Sequence, residues 1–138
     1  MKAVVDTNVF VSYLLAPRGA GTWLLHLWSQ QRFQIIISPQ LHNELLEVLE
    51  RPHIASHLDN GRKLALLRRL RQEAIWTEGT LEISGAMPDP GDDILIGAAR
   101  EENADYIVTW DAILLAQRSY EGVQIITPDE FIAVVVAR

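Results

Sequence analysis

The chain opens Met1-Lys2-Ala3-Val4-Val5-Asp6-Thr7-Asn8: a charged start, three small or β-branched apolar residues, then a stop on Asp-Thr-Asn. This pattern predicts a short buried strand with a carboxylate and two hydrogen-bonding side chains at its carboxyl end. In an open α/β sheet, ligands occupy the crevice beyond the strand ends, so Asp6 stands where chemistry is expected. Asp, Thr and Asn also favour turns and helix caps, which gives the stretch a plain structural reading as well. The rest of the chain has to decide between them.

Working outward, Ala16-Pro17-Arg18-Gly19-Ala20-Gly21 reads as a loop and Thr22 to Gln31 as a helix. Trp23 and Trp28 fall on that helix and are assigned to the core or to a subunit contact, because nothing basic interleaves with them in sequence. Phe33 to Ile37 is a second strand, and Ser38-Pro39 caps and opens a helix running to about Arg51. At about 100° per residue, Leu41, Leu45, Val48 and Leu49 form its apolar stripe. Glu47 and Glu50 point to solvent, whereas Glu44 sits at the stripe's edge and can reach inward.

Pro52 ends that helix, and Leu58 to Ile75 reads as another. It carries Arg62, Lys63, Arg68, Arg69 and Arg71, the one basic cluster in the chain. Such a run is either a solvated helix face or a phosphate-contacting surface. Ile75 to Ile83 is a strand or loop. Pro88-Asp89-Pro90-Gly91-Asp92-Asp93 then feeds a helix that is apolar all round its first two turns, hence buried. One acid suffices to cap it, so Asp92 and Asp93 together, beside Asp89, exceed what a cap requires.

Tyr106 to Thr109 is a further buried strand that ends on Trp110-Asp111, repeating the layout of the first. Ala112 to Arg118 is a short helix and Val123 to Ile126 the last strand. Thr127 and Glu130 form a capping box for the final helix and need no functional explanation. Strands alternating with helices imply one α/β domain over residues 1–138, a three-layer α/β/α sandwich with a central parallel sheet.

Bulk composition narrows the function. With 138 residues, 49% hydrophobic and 22% charged, the chain has enough apolar material for one core. It has no cysteine, which excludes disulfides, thiolate metal sites and a cysteine nucleophile. No apolar run reaches the roughly 18 residues of a membrane span, and the opening strand lacks a secretory cleavage pattern. A cytoplasmic protein is expected. The net charge of −6, from 18 acids against 12 Lys and Arg, conflicts with a plain nucleic-acid-binding module unless cations mask several acids.

Four of those acids converge on this reading. Asp6 and Asp111 end two strands, Asp93 opens a buried helix, and Glu44 faces inward from another. Carboxylates gathered at one sheet edge repel unless cations stand between them, and hard oxygen ligands suit Mg²⁺ or Mn²⁺ rather than Zn²⁺. One or two such ions can orient a water and stabilise charge on a phosphate.

The opening VVDTN, the SPQLHNELLEVLERP helix, PDPGDDILIGAA and ADYIVTWDAILL together resemble a PIN domain. Within it they are similar to the VapC-like branch, the toxins of bacterial toxin–antitoxin systems. The resemblance spans nearly the whole chain and implies a metal-dependent endoribonuclease. It implies that Asp6, Glu44, Asp93 and Asp111 are the catalytic, metal-holding acids. Asn8 and Thr109 match polar positions beside the metal, and Asp92 matches a more variable accessory acid. RNA is the implied substrate, a protein antitoxin the implied partner, and a homodimer the expected assembly. The family often has a small or basic residue where Trp110 stands and a basic one where Ala112 stands, so RNA contacts or access to the site differ here. His26, His42, His53 and His57 carry no matching motif, and no histidine base is required. Alanine at Asp6 or Asp93 is expected to abolish cleavage and leave the fold intact. A non-catalytic partner-binding or receiver-like signalling module is the rival. Against a receiver, Asp6 is followed by Thr and Asn, and no lysine occurs after Lys63.

Overall fold

A computed structural model describes residues 1–81, 85, 87 and 90–138. The expected continuation of the segment after Ile75 toward Ile83, and Asp89, lie outside the described residues. The first strand, β1 (Lys2–Val5), buries Ala3, Val4 and Val5. It leads directly into α1 (Thr7–Leu15) and then α2 (Ala20–Ser29). β2 (Gln34–Ile37) follows, then α3 (Pro39–Glu50), a short turn of helix α4 (Pro52–Ala55), and α5 (Asn60–Glu73). β3 (Ile75–Trp76), α6 (Pro90–Glu101), β4 (Tyr106–Val108) and α7 (Ala112–Gln117) come next. β5 (Ser119–Tyr120), β6 (Val123–Ile126) and α8 (Pro128–Val136) complete the chain.

Among the described residues the sheet has six strands in the order β3-β2-β1-β4-β6-β5, with helices flanking it. All pairings are parallel except β5 with β6. The sheet is thus mostly parallel, as expected, with one antiparallel strand at its edge. The cause is local. Glu121 and Gly122 take φ of 46° and 88°, which makes a two-residue hairpin turn whose twist suits antiparallel strands. Tyr120 pairs with Val123 across it.

Local chemistry explains most element boundaries. The Ser38 hydroxyl accepts the Leu41 N–H at 3.1 Å, with Pro39 at the first helical position. The Asp59 carboxylate accepts the N–H groups of Gly61 and Arg62 and starts α5. Thr127 and Glu130 form the expected capping box at the head of α8. Pro52 does more than end α3: that helix closes at Glu50, and Pro52 opens α4.

The core runs the length of the sheet. Phe131 is fully buried, with the Phe33 ring 4.8 Å and the Tyr106 ring 5.5 Å from its own, both edge-on. α6 packs on β1, β2 and β4, as its all-round apolar start requires. α1 and α2 approach closely at Gly21, where an added Cβ would stand 3.0 Å from the Val9 carbonyl oxygen. Trp28 is buried, but Trp23 is 60% exposed, so the expectation of a core role fails for Trp23. Leu24, Leu25, Leu27 and Trp28 are buried on α2, which packs against α1 and α8, and Trp23 is not among them.

Candidate active site at the switch point of the sheet

The strand order reverses between β1 and β4, since β2 lies on one side of β1 and β6 on the far side of β4. Crevices open at such a reversal, beyond the carboxyl ends of the two strands. Val5 pairs with Val108, which sets Asp6 beside Thr109 one step further on. Backbone bonds continue past the strands, from Asp6 N–H to Val108 O at 2.9 Å and from Thr109 N–H to Ile126 O at 3.0 Å. Asp6 and Thr109 are therefore tied to the sheet by backbone bonds just beyond its strand ends.

Asp6 occupies the cap position of α1 but its side chain makes no cap bond. It accepts instead from the Thr109 hydroxyl at 2.7 Å, through Oδ2. The plain capping role therefore does not account for this carboxylate. Burial raises the Asp6 pKa above its ordinary value of 3.8; the Thr109 hydroxyl and Thr7 N–H pull it down, and the Asp111 charge pushes it up. Asp6 thus sits where negative charge is costly.

Thr109, fully buried, also accepts the Asp111 N–H at 2.9 Å on the same Oγ1. One hydroxyl therefore ties the two acid-bearing strand ends together. The Asp111 carboxylate is the cap of α7, with Oδ1 accepting from Ile113 N–H at 2.8 Å and Leu114 N–H at 3.1 Å. Both cap bonds fall on one oxygen of the carboxylate.

Asp93 is buried in the first turn of α6 and is held by backbone amides. Oδ1 accepts from Met87 N–H at 2.8 Å and Oδ2 from Gly85 N–H at 3.1 Å. Sequence reasoning did not foresee this anchoring, whose donors lie six and eight residues upstream. Asp92, also buried, stands in the same turn. Because α6 begins at Pro90, Asp92 lies inside the helix and is not its cap.

Glu44 is half-buried while Glu47 and Glu50 are exposed, as the helical facing predicts. Its helix, α3, packs against α1, which starts beyond Asp6, and against α6, which carries Asp93. Asn8 is exposed on the first turn of α1. Trp110 is half-buried between Thr109 and Asp111, and Ala112 is exposed. His42 packs edge-on to the Trp76 ring at 5.2 Å.

Among the described residues, no three His, Asp or Glu side chains stand together as a metal cage. Among the described residues, direct links join Asp6 to Thr109 and Thr109 to Asp111, with the Asp111 charge felt at Asp6. The donor set is nonetheless suited to a hard divalent cation: carboxylate oxygens, no sulfur, and a half-buried carboxylate with a like charge nearby. A carboxylate has about four lone-pair sites, so amide bonds to Asp93 and cap bonds to Asp111 leave acceptor capacity for a cation.

The basic cluster does not form one face. Arg62 donates to the Tyr13 carbonyl at 3.2 Å and lies 4.8 Å from the Tyr13 ring centroid. Arg69 pairs with Glu73 at 2.8 Å and lies 4.4 Å from the Trp28 ring. Lys63 is half-buried, and Arg68 and Arg71 are exposed. Aromatic rings and cations do interleave, across helices where sequence spacing could not reveal it.

An α/β domain with acids at the switch point of a mostly parallel sheet is the class so defined. The chain belongs to the PIN domain family, whose model matches residues 2–112. That family is generally one of nucleases that use divalent metal ions. No curated protein matches. Among solved structures, the chain is similar to one in the crystal structure of VapBC2 from Rickettsia felis bound to a DNA fragment from their promoter. The identity is 20% and the TM-score 0.60, over 92% of this chain and 98% of that one. It is also similar to a chain of FitAB bound to an IR36 DNA fragment, at 16% identity and a TM-score of 0.53, over 91% and 94% of the two chains. At these identities the likeness bears on the fold. Among the described residues, no helix is long and apolar enough to cross a membrane.

Proposed function

We propose that this PIN domain is a metal-dependent endoribonuclease that hydrolyses RNA phosphodiester bonds, and that it is the toxin of a toxin–antitoxin pair. The observation that carries the reading is the Thr109 hydroxyl shared by Asp6 and the Asp111 backbone at the switch point. A fold needs no half-buried, uncapping carboxylate at that place; a cation-dependent site does.

Asp6, Glu44, Asp93 and Asp111 would hold Mg²⁺ or Mn²⁺, directly or through its waters. The bound cation would supply a water activated at neutral pH and neutralise charge on the phosphate. Thr109 holds Asp6 in one rotamer, and a fixed ligand loses less entropy on binding than a mobile one. Asn8, exposed in the first turn of α1, would orient waters or substrate. Asp92 adds negative charge in the first turn of α6. Arg62, Lys63, Arg68, Arg69 and Arg71 remain the candidates for contact with the RNA backbone.

The two solved neighbours are both complexes bound to DNA, named VapBC2 and FitAB, which supports a protein antitoxin as partner. RNA as substrate follows from the resemblance of the motifs, as do a homodimeric assembly and a cytoplasmic setting. Incubating a mixed RNA pool with the protein and Mg²⁺, Mn²⁺ or EDTA tests the reading, with Asp6→Asn as control. Cutting that needs the metal and disappears in the variant is expected. Cutting that survives EDTA or the substitution would overturn it.

A further inference from the structure

Two shallow clefts on the outer side of α1 and α2 share Thr22 and His26. The larger, of about 400 Å³, includes Arg18 and Trp23; the smaller, of about 250 Å³, runs on to Tyr13 and Arg69. Trp23 is 60% exposed, with the His26 ring edge-on at 6.0 Å. Arg62 covers the Tyr13 ring at 4.8 Å at the far end. The strip therefore runs from Arg18 past the Trp23, His26 and Tyr13 rings to Arg69 and Arg62.

Its charge is opposite to that of the whole. No carboxylate is among the described residues lining either cleft, in a chain with 18 acids and 12 Lys and Arg. Glu73 pairs with Arg69 from outside the clefts and holds its guanidinium in place. A docking face for another protein also gathers Trp, Tyr and Arg and is poor in Asp and Glu, and the test below separates that occupant. This strip carries its cations at the two ends and its rings between them. Phosphates and the π-faces of unpaired bases match both features, whereas a duplex hides its base faces.

We propose that this strip binds single-stranded RNA, with a base stacked on Trp23 and phosphates against Arg18, Arg62 and Arg69. The inference rests on RNA being the substrate. Tyr13 lies two turns along α1 from Asp6, about 10 Å by helical rise, so one strand can reach from the strip to the carboxylates. The strip thus divides the basic cluster: Arg62 and Arg69 contact RNA here, and Arg68 and Arg71 do not.

Fluorescence anisotropy with a labelled single-stranded RNA of about 12 nucleotides, in EDTA so that binding is read without cleavage, tests this. Trp23→Ala and Arg18→Glu alter exposed positions and leave the core untouched. Each is expected to weaken binding by roughly tenfold, and the RNA-induced quenching of tryptophan emission should diminish in Trp23→Ala. Unchanged affinity in both strip variants would overturn the proposal, as would equal binding of a duplex of the same length. It is also overturned if the variants change only the oligomeric state or retention of a protein partner, with RNA affinity unaltered. Strip-dependent binding by a protein that cuts no RNA would leave the strip standing and sink the nuclease. Cutting that is indifferent to Trp23 and Arg18 would do the reverse.

Discussion

The Thr109 hydroxyl donates to Asp6 Oδ2 at 2.7 Å, across the junction of two strands whose residues are 103 apart in sequence. The same oxygen accepts the Asp111 N–H, so the bond orients one acid while fixing the backbone of the other. Thr109→Val keeps the shape and removes both roles. Hydrogen bonds to charged groups are worth about 1.5–3 kcal/mol, and the variant should lose stability of that order in denaturant unfolding at neutral pH. The Asp6 carboxyl, no longer held down by the hydroxyl, should titrate at higher pH by carbon NMR. Thr109→Ser should restore both. An unmoved Asp6 titration in Thr109→Val would show that the bond does not tune this acid.

Asp6 itself should cost the fold stability at neutral pH. Burial raises its pKa above 3.8 despite the Thr109 and Thr7 bonds, so the folded state holds the proton more tightly than the unfolded chain. Stability from this group is complete below the unfolded value and lost as pH rises through the raised folded one. Asn keeps a carbonyl oxygen for Thr109 and carries no charge. Asp6→Asn should therefore melt above the wild type at pH 7, and the gap should close below about pH 4. A variant that melts lower at pH 7 contradicts this.

Asp93 joins a structural duty to its proposed catalytic one. Asp93→Ala strands the Met87 and Gly85 amides, the first of them in a buried setting, and each lost partner of this kind costs about 1–3 kcal/mol. Hydrogen exchange at the Met87 amide should accelerate in that variant. Loss of activity in Asp93→Ala would thus mix two causes, and the expectation that alanine leaves the fold intact holds better for Asp6. Asp93→Asn, which keeps one acceptor, separates them. Equal Met87 exchange in wild type and Asp93→Ala would remove the structural duty.

Phe131 is the centre of the aromatic group formed with Phe33 and Tyr106. Phe131→Ala should cost about 3–5 kcal/mol in denaturant unfolding. A cost under about 1 kcal/mol would mean that α8 is only loosely attached to the sheet.

Much of the fold is local in origin and so could be read from residues alone. VVDTN, Ser38-Pro39, the inward edge at Glu44 and the Thr127–Glu130 box each specify their structure within a few residues. What could not be read is non-local. Strand register places Thr109 against Asp6, and nothing near Asp6 in sequence encodes that. The amides that hold Asp93 belong to a loop without periodicity. The Glu121-Gly122 turn lacks the usual Asn-Gly or Asp-Gly signal, which hid the antiparallel edge. Arg69 meets Trp28 across 41 positions of sequence, so interleaving of cations and rings appears only in the folded chain.

The account depends most on Asp6 and Asp111 sharing one cation. Calorimetric titration with Mn²⁺ of the wild type, Asp6→Asn and Asp111→Asn addresses this directly, since Asn preserves the Thr109 acceptor in one and the α7 cap in the other. Saturable binding in the wild type that weakens at least tenfold in each variant, with melting curves showing both folded, is the result predicted. Mn²⁺ affinity unchanged by either substitution would contradict it.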